Sequence, residues 1–155
     1  MKSKILIIIC LLIFSIKTYS QTNENSNDYR LDDSPFTMEF YYKIKWGHFD
    51  EFLQLYKKNH WPFIKSGIND GAILNATVHR PFNHSGENDR WDLRVTVTYE
   101  NALIAHGLDD FDFEAERNRL FPDKEKYLKE EKRRFELIEE HMDVEIYEVS
   151  TSDWN

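Results

Sequence analysis

Residues 36–46 read FTMEFYYKIKW. Phe36, Met38, Phe40, Tyr42, Ile44 and Trp46 alternate with Thr37, Glu39, Tyr41, Lys43 and Lys45. Successive side chains of a strand point to opposite faces, so this period of two predicts a strand with one buried face. Trp46-Gly47-His48 then ends the strand in a turn.

From this strand the pattern can be followed in both directions. Phe49, Phe52, Leu53, Tyr56, His60, Phe63 and Ile64 recur at the three- and four-residue spacings of one helical face. Asp50 and Glu51 fall in the first turn, where the helix dipole favours acids. Pro62 lacks a backbone donor, which predicts a kink or break near Trp61. Residues 72–80 and 91–99 read as two further strands, joined through PFNHSGEND as a long-looped hairpin. On the second of them Trp91, Leu93, Val95, Val97 and Tyr99 are expected on one face, and Asp92, Arg94, Thr96 and Thr98 on the other. Short helical pieces are expected around Leu103 and Ala115. A longer helix is expected from Asp123, its cap, to about Met142, with Tyr127, Leu128, Phe135, Ile138 and Met142 inward. Glu125–Lys129 and Glu130–Arg134 would be charge pairs on its outside. Residues 144–150 read as the last strand. The order strand, helix, strand, strand, helix, strand is the ferredoxin-like split arrangement βαββαβ. It predicts an α+β domain over residues 35–155: a four-stranded antiparallel sheet with helices on one face.

Upstream, Lys2 and Lys4 precede ILIIICLLIFSI, and a small residue, Ser20, precedes Gln21. A charged start, a short apolar run and a small residue at the cut describe a cleavable signal peptide over residues 1–20. A bilayer span needs roughly 20 apolar residues, so no stable membrane anchor is expected. Export to the periplasm or the medium follows. Residues 21–34 are polar and are expected to be a disordered, dispensable leader. Cys10, the single cysteine, leaves with the signal, which excludes thiol catalysis and disulfides in the mature chain. Removal of Lys2, Lys4 and Lys17 takes the net charge from −8 to −11. Basic residues are interleaved with acids, as in KEKYLKEEKRR, so no nucleic-acid partner is expected.

The stretch YYKIKWGHFDEFLQLYKKNHWPFIK, residues 41–65, resembles the first strand and helix of the dimeric α/β-barrel superfamily, including its NIPSNAP-like group. RWDLRVTVTY and LFPDKEKYLKEEKRRFELIEEHMDVEIYEV resemble uncharacterised exported members of that architecture. The resemblance covers about residues 36–150. It implies a homodimer, a dimeric α/β barrel in which two sheets meet face to face. That superfamily includes haem-degrading and quinone-oxidising monooxygenases and sugar mutarotases. No position of this chain matches a catalytic motif of any of them, so no catalytic residue follows.

Five residues are candidates for a ligand site. Glu39, Tyr41, His79 and Arg94 fall on the polar face of neighbouring strands, where a carboxylate, an imidazole and a guanidinium could hold an anion or move a proton. The competing reading is an interface network in which Arg94 pairs with Glu39 across the sheet or the dimer. Together with Thr77, Thr96 and Tyr147 they would make that face mixed, neither core nor plainly solvated. His60 lies on the apolar face of the first helix, where a histidine is more often part of the core. His79, His84, Glu87 and Asp89 include metal-ligand types, but their spacing fits no metal motif, and no metal or cofactor is expected. His48, His106 and His141 have no partner evident from spacing. GxSxG, GxGxxG, a phosphate loop and HExxH are absent. The expectation is therefore an exported ligand-binding or accessory domain. The alternative is a small-molecule enzyme, monooxygenase- or isomerase-like, working between helices and sheet. A cavity gathering two or more of the five residues would favour the enzyme.

Overall fold

The computed structural model describes residues 33–83, 85–152 and 154; the signal and nearly all of the leader expected from the sequence lie outside them, as does His84. The elements are β1 (Phe36–Ile44), α1 (Phe49–Leu55), a π-helical turn (Tyr56–His60), α2 (Trp61–Asp70), β2 (Ile73–His79), β3 (Leu93–Tyr99), α3 (Ala102–Ala105), α4 (Phe113–Leu120), α5 (Lys124–Glu136) and β4 (Ile138–Ile146). The four strands form one antiparallel sheet in the order β2-β3-β1-β4. That is the ferredoxin-like arrangement. Among the described residues no helix is long and apolar enough to cross a membrane.

The alternation in β1 explains the sheet. Tyr42 and Ile44 are buried on the helix side, beside Leu93, Val95 and Val97 of β3. From the helices Phe52, Tyr56, Ile64 and Leu137 complete the same core. Tyr42, Phe52 and Tyr56 form an aromatic cluster with ring centroids 5.4–5.9 Å apart. Pro62 sits in the first turn of α2, and the turn before it is widened: the Trp61 N–H donates to the Tyr56 carbonyl. A proline ring clashes with the carbonyl four residues back in a regular helix, and a π turn accommodates it. Gly71, with φ +84, ends α2 in the left-handed conformation that glycine adopts without strain. Asn101, Asp112 and Asp123 cap α3, α4 and α5 by accepting backbone N–H groups.

Three expectations are corrected. The last helix ends at Glu136 and β4 begins at Ile138, where residues to Met142 read as helix. The free edge of β1 takes residues 138–146 as a partner strand, from Ile44↔Ile138 to Thr37↔Ile146. Backbone pairing there outweighs a helical pattern that has no glycine to stop it. Second, the inner face of α5 differs from the expected one: Leu137 and Arg134 are buried, Phe135 is 59% exposed and Leu128 is half exposed. Glu130 and Arg134 do not pair on the outside; Glu130 accepts from Lys58 at 2.5 Å and Arg134 binds Glu131 at 2.8–2.9 Å. Third, β3 begins at Leu93; the Trp91 ring packs edge-on against Tyr41, 5.8 Å away, on the side away from the helices. Trp46 lies beyond β1 and is exposed.

The junction of β1 and β4 carries an ion cluster. Both terminal nitrogens of the Arg90 guanidinium donate to the Ile44 carbonyl at 3.1 Å, and the group pairs with Asp92 and Glu139. Lys43 pairs with Glu87, Glu139 and Glu140 at 3.2–3.4 Å. This cluster spans the register shift between Lys43 and Ile44.

Core and surface phenylalanines are therefore expected to part. Phe52→Ala, at 0% exposure, should cost about 3–5 kcal/mol in urea unfolding. Phe135→Ala should cost well under about half of that. Equal losses would show that α5 turns its Phe135 face inward.

Candidate functional site

The sheet separates the five sequence candidates into two groups. On the face away from the helices, strand register places His79 opposite Arg94 and Arg94 opposite Tyr41, with Thr77, Thr96 and Glu39 in the neighbouring row. Glu39 is the centre of a network there. Tyr41 Oη donates to its Oε2 at 2.5 Å, Thr96 Oγ1 to its Oε1 at 3.2 Å, and Arg94 lies 3.5 Å from Oε1. Hydrogen bonding to that carboxylate, with burial, raises the Tyr41 pKa. Arg94 also lies 5.9 Å over the Trp91 ring, and its Nε is sheltered without a hydrogen-bond partner. His79 is exposed on the outermost strand.

The β4 contribution to this face differs from the expected one. Tyr147 lies past the end of the strand. Met142, Val144 and Ile146 are the residues opposite Tyr41, Glu39 and Thr37. They form an apolar stripe along the open face, with Met142 55% and Ile146 38% exposed.

His60 is on the other side of the sheet. It lines a cleft of about 440 Å³ between α2, α5 and the sheet, walled by Phe63, Ile64, Ile73, Tyr99, Ile104, Phe111, Phe113, Tyr127 and Phe135. The π turn delivers His60 to this place, with its ring 4.8 Å from that of Tyr56. Arg134, 3% exposed, lines the cleft and is held in a two-pronged pair by Glu131. Burial opposes charge on Arg134, but the Glu131 carboxylate outweighs it and the pKa is raised. Burial pushes His60 from 6.5 down to about 4, and the charges of Arg134 and His141 act in the same direction. Burial likewise pushes Tyr99 up to about 12. The cleft is thus an apolar chamber with a neutral imidazole and a self-compensated ion pair. Its walls offer stacking surface, with the exposed Asp70 and Asp109 along the lining, which suits a small, mainly apolar molecule.

Sequence reasoning missed Arg134, Glu131 and His141. Tyr127, Glu130, Glu131, Arg134 and Leu137 do follow helical spacing, but a search for apolar residues passes over a face that is mostly charged. His141, seen without a partner, stacks on Tyr42 at 4.3 Å and lies 3.1 Å from Asp143. His48 and His106 likewise meet Glu51 and Glu145. Among the described residues no group of three or more His, Cys, Asp or Glu is arranged to hold a metal.

No family model and no curated protein matches the chain. Solved structures do. A dimeric protein of unknown function and ferredoxin-like fold from Bacteroides fragilis is 9% identical, with 76% of this chain and 99% of that one covered and a TM-score of 0.45. A NIPSNAP family protein of unknown function from Agrobacterium tumefaciens is 16% identical, with 78% and 94% covered and a TM-score of 0.45. A protein of unknown function from Bacteroides thetaiotaomicron, described as a possible oxidoreductase, is 10% identical, with 74% and 100% covered and a TM-score of 0.42. The group that the sequence resembles is thus among these neighbours.

The depressed His60 pKa has a consequence for stability. An unfolded chain protonates this residue near 6.5, and the folded one only near 4. The stabilisation is complete above 6.5 and is lost as the pH falls toward 4. His141, lowered chiefly by burial, acts with the same sign. His60→Asn should therefore reduce the loss of unfolding free energy between pH 7 and pH 5 by about 1–2 kcal/mol. An unchanged loss in urea titrations at the two pH values would mean that His60 is not held neutral.

Proposed function

We propose that this chain is an exported homodimer that binds a small apolar ligand between helices and sheet. The observation that carries the reading is the 440 Å³ cleft with its aromatic walls and buried His60. A chamber of this size and lining is what drug-sized apolar molecules occupy. Of the five candidate residues only His60 lines it, which favours binding over catalysis. Export rests on the charged, apolar and small-residue pattern of residues 1–20.

Support for the dimer comes from the open sheet face. Met142, Val144 and Ile146 lie beside Tyr41 and the sheltered Arg94 Nε, which still has a donor to give. A second copy laid over this face would bury the stripe. Stable homodimers of this kind bury more than about 1,200 Å² in total, and two-fold symmetry uses the same face twice. The neighbour from Bacteroides fragilis is itself described as dimeric.

Two measurements test these parts separately. N-phenyl-1-naphthylamine, an uncharged dye that brightens in apolar surroundings, should bind saturably at one site per chain. Ile104→Trp, which fills the cleft, should abolish that signal while leaving the fold intact by circular dichroism. A chain that never brightens the dye overturns the ligand reading. Met142→Asp should shift sedimentation equilibrium toward monomer at micromolar concentration; its exposure means that a single chain tolerates the change. A wild-type chain that sediments as a monomer overturns the dimer.

A further inference from the structure

The cleft's charges point to the kind of molecule it takes, an inference that rests on the cleft being a ligand site. Among the described residues Arg134 is the only cationic side chain along its lining, and its charge is spent: Nε and one terminal nitrogen are bound to the two oxygens of Glu131 at 2.9 and 2.8 Å. His60 is neutral at physiological pH. Asp70 and Asp109 also line the cleft; both are solvent-exposed, and neither is within ion-pair distance of a cation among the described residues. Arg119, the cation that acts on nearby carboxylates of α2 and α4, is already held by both oxygens of Glu116 at 2.5 and 2.7 Å. The cleft therefore carries two exposed carboxylates, of which Asp70 also feels Arg119, and among the described residues no free cation.

The walls add to this. Phe111 and Phe113, T-shaped at 4.8 Å, follow Asp109 in sequence and share the lining with it. Aromatic faces attract an organic cation and gain nothing from an anion. An acidic ligand would bring its charge beside Asp70 and Asp109, where like charges repel. We infer that the cleft selects a cationic amphiphile: an alkyl or aryl amine whose apolar body lies among the phenylalanines and whose ammonium faces Asp70 and Asp109.

Three probes of equal length and different head group test this. Decylamine, decanol and decanoate, each below its critical micelle concentration, compete against bound N-phenyl-1-naphthylamine at pH 7. Decylamine should displace the dye at a concentration about tenfold lower than decanol, and decanoate should be weakest. Asp70→Asn with Asp109→Asn should erase the preference for amine over alcohol. Asp50→Asn with Glu125→Gln, which changes the net charge equally and leaves the cleft alone, should keep it. If amine and alcohol compete equally, or if the distant control erases the preference too, the amine assignment is overturned and the ligand-binding cleft stands. If the dye itself does not bind, both fall.

Discussion

β1 is hydrogen-bonded along both edges, to β3 on one side and β4 on the other, and the alternation of its side chains governs everything packed on the sheet. A shift of one residue would turn Tyr42 and Ile44 outward and bring Glu39, Tyr41 and Lys43 against the helices. Burial of Phe52 and Tyr56 against Tyr42 makes that exchange prohibitive. The same strand therefore defines both faces: an aromatic core and cleft on one, a polar network and an apolar stripe on the other.

The Arg90 cluster fixes where β1 ends. Lys43 and Arg90 are almost completely buried, among four carboxylates from two segments of chain. Buried charges are tolerated when paired and hydrogen-bonded, and removing one partner of such a set is strongly destabilising. The bond from both terminal nitrogens of Arg90 to the Ile44 carbonyl, and the Ile44 N–H donated to Asp92, satisfy the backbone where the ladder shifts register. The cluster makes an irregular sheet junction specific, and its charges are taken up in doing so.

The two groups of candidate residues answer to different pressures. The Glu39 network leaves its carboxylate shared among Tyr41, Thr96 and Arg94, an arrangement suited to being covered. His60 faces an apolar chamber whose one cation is neutralised by its own helix. Chemistry that needs Glu39, Arg94 and His60 together cannot be done within one chain, because the sheet lies between them. On the proposed reading each side serves recognition: of a second surface on the open face, and of a small molecule in the cleft.

Patterns confined to one segment were legible in the sequence. The period of two in β1 and β3, the helical face of α1, the disturbance before Pro62 and the Asp123 cap all depend on neighbours a few residues away, and each appears in the structure. The polar face carrying Glu39, Tyr41, Thr96 and Arg94 followed from the same alternation. The helix–strand boundary at residue 137 was not legible. IEEHMDVEI fits a helix as well as a strand, and only the unfilled edge of β1 makes it a strand. That single change moved Met142 from a helix interior to the open face. Within α5 itself, a charged, inward-facing Arg134 pairs with Glu131, where an apolar reading placed Phe135. The sequence by itself determined the fold class, because alternation and helical spacing are local. The tertiary structure alone decided the cleft, its lining and the separation of His60 from Arg94, because those depend on which long-range edges find each other.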